Sequence, residues 1–340
     1  MHIGRRYSFP QFLGWTGREA LLLVGWSLAV TLFLQLTRWD FLTVPTPVLT
    51  IIGAALAIIV GFKNQQCYAR FNEALSLAGQ LSTNSLIVAH RFTSMVGHLE
   101  EMSSGGGLRT VIHRHLAWLT AMRFFLREKK PWENTSESGN ARFLKQHHTP
   151  ESQSSLDEEL RKYLPEGDVR KVLTYGADKL DLMLRWQFET AADLYNRKLI
   201  TEYMLMMLTS ALDDLVRVQG ALKRAKNYPY ARNFYSIAVF LVTIFVGLVP
   251  FGLFPYAREL GETANIEDWT VWLNVPFSAV VGWTFVSLEK VGENSSNPFE
   301  GGSNDVPISA ITRRIEIELS NMLGEQSDLK PVEAKSDILF

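Results

Sequence analysis

Few residues in this chain have the types and spacing that covalent or metal chemistry needs. His113-Arg-His115 and His147-His148 are the only close histidine groups. On a helix, positions i and i+2 point to different sides, so His113 and His115 cannot share an ion as an i, i+4 pair does. His147-His148 lies in a polar stretch with no cysteine or carboxylate at ligand spacing. A metal site is therefore not expected. The single cysteine, Cys67, excludes an internal disulfide and a Cys-rich cluster, and reads as a buried thiol within packing. No Walker loop, GxSxG elbow or Rossmann glycine pattern occurs. These absences argue against an enzyme and give no residue set that would hold a cofactor. A net charge of −1 gives no support to a nucleic-acid partner.

The chemistry that remains is of another kind. Residues 55–74, ALAIIVGFKNQQCYARFNEA, are apolar in their first half and carry Lys63, Arg70 and Glu73 in their second, with no proline between. One helix is expected to run through both halves. Ala54, Ile58 and Phe62 are spaced four apart and share a face, which continues to Gln65 or Gln66, then Ala69 and Glu73. An apolar stretch followed by a polar one is the pattern of a helix lining a water-filled path: the apolar part constricts and dewets, the polar part holds a hydrated vestibule. The same stripe would also arise if it only packed against another membrane helix of the chain. The residues alone leave both readings open.

Four apolar runs must position this helix. They cover residues 20–36, 44–62, 234–254 and 269–288, and none contains Asp, Glu, Lys, Arg or His. Each approaches the roughly 20 apolar residues that span a bilayer. Basic residues cluster on one side of the runs: Arg5, Arg6, Arg18, Lys63, Arg70, Lys223, Arg224, Lys226, Arg232 and Lys290. The positive-inside rule then places both termini and residues 63–230 in the cytoplasm. The opposite loops hold Glu259, Glu262, Glu267 and Asp268. The expected fold is an all-α membrane protein, with transmembrane helices 1 and 2 in residues 1–62, a helical cytoplasmic domain in 63–230, helices 3 and 4 in 231–290 and a cytoplasmic tail in 291–340. Within the inside domain, helical spacing runs over 65–104 up to a glycine break at 105–107. Ser155-Leu-Asp-Glu158 has capping-box spacing, residues 131–154 read as a loose loop, and 168–226 as two long helices.

Two separated motifs carry a family resemblance. GFKNQQCYARFNEA resembles the segment that follows the second membrane helix of bestrophins, above all their bacterial members: a glycine, an aromatic, a basic residue, paired amides and Tyr-x-Arg. The tail NPFEGGSNDVPISAITRRIEIELSNML is similar to the element after the last span of bacterial bestrophins, with Pro307 at a helix start, Asp305 near its cap and Ile308, Ile311, Ile315, Leu319 and Met322 as the apolar face. The order of spans, inside helices and tail matches over essentially the whole chain.

The resemblance implies a homopentamer in the bacterial inner membrane, surrounded by lipid, with one central pore conducting small ions. By position, it implies a pore neck of Ala54, Ile58 and Phe62 and a cytoplasmic constriction at Ala225, with Gln65, Gln66, Ala69 and Glu73 in the vestibule. The acidic cluster with which animal bestrophins bind calcium is reduced here to Glu300 and Asp305, which argues against calcium gating. The family includes channels for anions such as chloride and for monovalent cations. The outer carboxylates favour cations only weakly, because exposed charges are screened beyond about 8 Å. A scaffold or receptor without conductance, and a secondary transporter, are the alternatives. The transporter is disfavoured because the four runs bury no ionisable residue for coupling.

Overall fold

A computed structural model describes residues 1–97, 107–133, 138–264, 267–325 and 329–340, the side chains of 138–139, 141–142, 263–264 and 267–268 excepted. The helices, in chain order, are α1 (Phe9–Thr37), α2 (Thr46–Val96), α3 (Gly107–Arg127), α4 (Ser138–Gln146), α5 (Leu156–Leu160), α6 (Glu166–Thr174), α7 (Lys179–Asn196), α8 (Glu202–Asn227), α9 (Arg232–Ala264), α10 (Glu267–Thr270), α11 (Asn274–Glu293) and α12 (Ile308–Met322). Among the described residues the only β features are isolated bridges, such as His2 with Ile338. Stretches within Phe9–Thr37, Asp40–Val96, Glu202–Glu262 and Val271–Glu293 are long and apolar enough to cross a membrane, as the four apolar runs require.

The chain divides into two compact units. The first comprises residues 4–69 and 229–296; the second comprises 1–3, 70–228 and 297–340.

The first unit packs α1, the upper half of α2, α9 and α11 around Leu23, Leu49, Leu56, Val60, Val242, Phe245, Val246 and Val249. Close approach is made through glycine: a Cβ at Gly53 would meet the Phe245 ring at 3.0 Å. Two prolines, Pro250 and Pro255, lie inside α9. Pro255 has no N–H for the carbonyl of Phe251, and Val44 N donates to that oxygen instead, at 3.4 Å. Buried Asn274 links three helices, donating to Thr31 Oγ1 at 2.9 Å and to the Pro250 carbonyl at 3.1 Å.

In the second unit a larger apolar core is built on α3, whose Trp118, Met122 and Leu126 are fully buried, with Leu81 and Phe92 of α2, Met183 of α7, Leu212 and Leu215 of α8, and Ile315 and Leu319 of α12. Two polar pairs lie inside it: Trp118 Nε1 donates to Gln219 Oε1 at 2.7 Å, and Lys226 pairs with Glu133 out of water. The Ser155 capping box forms as expected, with Glu158 N donating to Ser155 Oγ and Ser155 N to the Glu158 carboxylate. α12 buries Ile308, Ile315 and Leu319 and half-buries Ile311 and Met322.

Three local expectations need correction. The 131–154 stretch is not all loop, since it contains α4 and a 3-10 turn at Pro150–Ser152. Residues 168–226 form two long helices preceded by the short α6, which closes at Thr174. Asp305 does not cap α12, whose N-cap is Pro307 with no side-chain bond; its carboxylate is drawn into the preceding loop, as described below. The glycine break begins outside the described residues, which resume at Gly107.

Candidate functional site

α2 is one unbroken helix of 51 residues, about 75 Å at 1.5 Å per residue. Taking about 100° per residue, its residues sort onto two opposed faces. Leu49, Leu56, Val60, Cys67, Ala74, Ala78, Leu81 and Ser85 fall on one face and are all buried. Ala54, Ile58, Phe62, Gln65, Ala69, Glu73, Ser76, Gln80, Thr83 and Ile87 fall on the other and are all exposed within the chain. Ile58 is 61% and Phe62 65% exposed. Within the chain the stripe does not pack against α9 or α11. Along the exposed face the residues are apolar through Phe62 and mainly polar from Gln65 to Thr83.

The two amides separate. Gln65 stays within about 20° of Ala54, whereas Gln66 lies about 120° away at the same helical periodicity. Gln66 accepts a hydrogen bond from Tyr230 Oη at 3.0 Å. Gln66 is nonetheless exposed and lies about 40° from Phe62, so it stays at the edge of the stripe beside Gln65. Glu73 faces Arg224 of α8 at 3.5 Å, with both side chains more than half exposed, and Arg70 donates to the Tyr228 carbonyl at 2.9 Å. Ala225 is half-buried, its methyl against the core of the second unit.

Lys63 is not in the watery surroundings its charge implies. It is 3% exposed, paired with Glu289 of α11 and lying 4.4 Å from the centre of the Tyr235 ring. Its pairing was not visible in the sequence because Glu289 lies 226 residues away.

Asp305 and Glu300 do not form an open cation site. Asp305 Oδ1 accepts from Val306 N at 2.7 Å and from Phe299 N, while Oδ2 accepts from Gly301 N at 2.6 Å and pairs with Arg127. The loop reaches these bonds by left-handed backbone at Phe299 (φ 72°) and Gly301 (φ 90°). Both oxygens are thus already satisfied, by backbone donors and by a guanidinium. Glu300 is half-buried in the same loop. His113 and His115 face apart as their spacing requires: His113 Nε2 meets Glu325 at 3.2 Å, and His115 Nδ1 meets Gln187 Oε1 at 3.1 Å in the core. No group of three or more His, Cys, Asp or Glu with metal-ligand geometry occurs among the described residues. Burial lowers the His115 pKa to about 4.

The profile of a family described as bacterial/fungal bestrophin proteins matches residues 17–321. The voltage-dependent anion channel-forming protein YneE of Salmonella typhi is 24% identical over 307 residues, covering 90% of this chain and 86% of that protein. Its namesake in Escherichia coli K12 is 25% identical over 278 residues, 81% and 76% of the two chains. The crystal structure of a bacterial bestrophin homologue from Klebsiella pneumoniae superposes with a TM-score of 0.72 at 20% identity, covering 91% of this chain and 98% of that one.

Proposed function

The chain belongs to the bacterial and fungal bestrophin family, and from that premise we propose that it is an ion channel of the bacterial inner membrane, with both termini in the cytoplasm. Five copies surround one axis, and each contributes the exposed face of α2 to the pore wall. The observation that carries this reading is the composition of that face: an exposed stripe, apolar through Phe62 and mainly polar below it, opposite a uniformly buried one. Within the chain nothing covers this stripe, and five copies around an axis would turn it onto a water-filled path that is apolar at the neck and polar beyond it.

Ile58 and Phe62 form the dewetting neck, with Ala54 a wider ring above them. Gln65, Gln66, Ala69 and Glu73 line the vestibule, and Ala225 contributes a lower constriction. The permeating species are small monovalent ions. An anion such as chloride is favoured by the names of the relatives, and a cation such as sodium is the alternative. Conduction does not depend on calcium, because the Asp305 carboxylate is already saturated.

The test is reconstitution of the purified protein in planar bilayers across a salt gradient, with its mass measured in detergent. A current with a defined reversal potential from a particle of five subunits is expected, unchanged on chelation of calcium. A monomer, or a sealed bilayer, contradicts the reading.

A further inference from the structure

The apolar core of the first unit ends, along α2, at Val60. Phe62, the proposed neck residue, lies two residues past this point, where further contacts can fix the rotation and height of α2. The next two residues do so through polar ties. Lys63 points to the buried side, where its ammonium meets the Glu289 carboxylate and, at 3.5 Å, the Glu289 carbonyl. Tyr235 of α9 presents its ring to the same ammonium and donates its hydroxyl to Glu293. Asn64 Nδ2 donates to the Leu288 carbonyl at 2.8 Å, and Gly292 leaves room for it, since a Cβ there would overlap Asn64 Oδ1. The neighbouring cation on α11, Lys290, is taken by Glu19 of α1 at 2.6 Å. Among the described residues Lys63 pairs with one carboxylate, Glu289, which stands on the last turns of α11.

We propose that the buried Lys63–Glu289 pair positions Phe62, holding α2 at the rotation that turns the Phe62 ring to the exposed face and so setting the width of the neck. Apolar contacts tolerate sliding and rotation, whereas a buried ion pair has a directional optimum and leaves an uncompensated charge when it is broken. Lys63 follows Phe62 directly, so the two side chains diverge by about 100°, and anchoring one fixes where the other points. Lys63 and Glu289 touch no permeating ion in this arrangement; they act through the ring. The inference rests on the proposed neck.

The experiment is a double-mutant cycle read as single-channel conductance of the full-length protein in planar bilayers: wild type, Glu289→Gln, Phe62→Ala and the double variant. Glu289→Gln frees α2 to rotate and should at least double the conductance and broaden its distribution. On the Phe62→Ala background the same substitution should change nothing further, because the ring through which it acts is gone. A purely structural pair would lower the yield of assembled protein and leave the conductance of surviving channels unaltered. If Glu289→Gln does not assemble, Glu289→Asp keeps the charge on a shorter stem and should still shift conductance in a Phe62-dependent way. The proposal is overturned if the Glu289 variants conduct like wild type, or if their effect is the same with and without the Phe62 ring. Wild-type conductance in Phe62→Ala alone would instead locate the failure in the neck, and the proposal would fall with it.

Discussion

Two phenylalanines on one helix, Phe62 and Phe92, show how differently the two ends of α2 are used. Phe92 is 0% exposed in the core of the second unit, whereas Phe62 is 65% exposed. The upper half of α2 belongs to a unit whose apolar core is small and whose large side chains are often exposed, as a bilayer allows. The lower half belongs to a unit in which apolar side chains are gathered inward around Trp118. The same helix thus presents one phenylalanine on an exposed face and packs the other in a core. Burial, and not residue type, decides what each phenylalanine does.

The sharpest way to break this comparison is to truncate both rings. Phe92→Ala should empty a packed site and cost about 3–5 kcal/mol, seen as a lowered midpoint in chemical denaturation of the purified protein. A cost as small as that of the same change at position 62 would erase the contrast.

The next effect is in acid. His115 has a folded pKa of about 4, lowered by burial from 6.5. Below pH 6.5 the unfolded chain takes up a proton that the folded one refuses until about pH 4, so this contribution is complete above 6.5 and is lost as pH falls through that window. The shift corresponds to about 3 kcal/mol at most. His115→Asn should flatten the stability–pH curve between pH 6.5 and 4; an unchanged acid limb would show that His115 protonates without unfolding.

A smaller effect is expected at Trp118→Phe, which keeps most of the ring and deletes the donor to Gln219 Oε1. The loss should be about 1–3 kcal/mol, the cost of leaving a buried acceptor unsatisfied, again read as a denaturation midpoint. No loss would mean that Gln219 finds another donor.

Least of all should stability respond to Phe62→Ala, within about 0.5 kcal/mol as for exposed sites in general. Current through the assembled channel should rise as the ring widens. A loss as large as that at Phe92, without added current, would place Phe62 in packing and not in a neck.

The parts of this account legible in the sequence are those set by local period. The stripe on α2 and the apolar face of α12 repeat at helical spacing and keep their faces in the structure, and the Ser155 capping box, set by a three-residue spacing, forms. What could not be read depends on distance along the chain or on backbone hand. Lys63 looks solvent-bound until Glu289 and Tyr235 are brought to it by α11 and α9. Asp305 looks like a cap or a cation ligand until left-handed backbone at Phe299 and Gly301 turns three N–H groups onto it. That Gln66 also holds the Tyr230 hydroxyl cannot be read from spacing, since Tyr230 is 164 residues away. His115 is an intermediate case: Ile112 and Leu119 at i−3 and i+4 already mark its face as buried, and that signal could have identified it as a core histidine.

The most direct test of the central claim, that the exposed face of α2 lines the ion path, is chemical modification at its proposed narrowest point. Phe62→Cys, at a 65% exposed position, should be reached by a small hydrophilic thiol reagent added to channels in a planar bilayer, while the native Cys67, which is buried, serves as the silent control. The account predicts that current through Phe62→Cys channels falls on modification while wild-type current does not. Modification confirmed by mass with the current unchanged would contradict it.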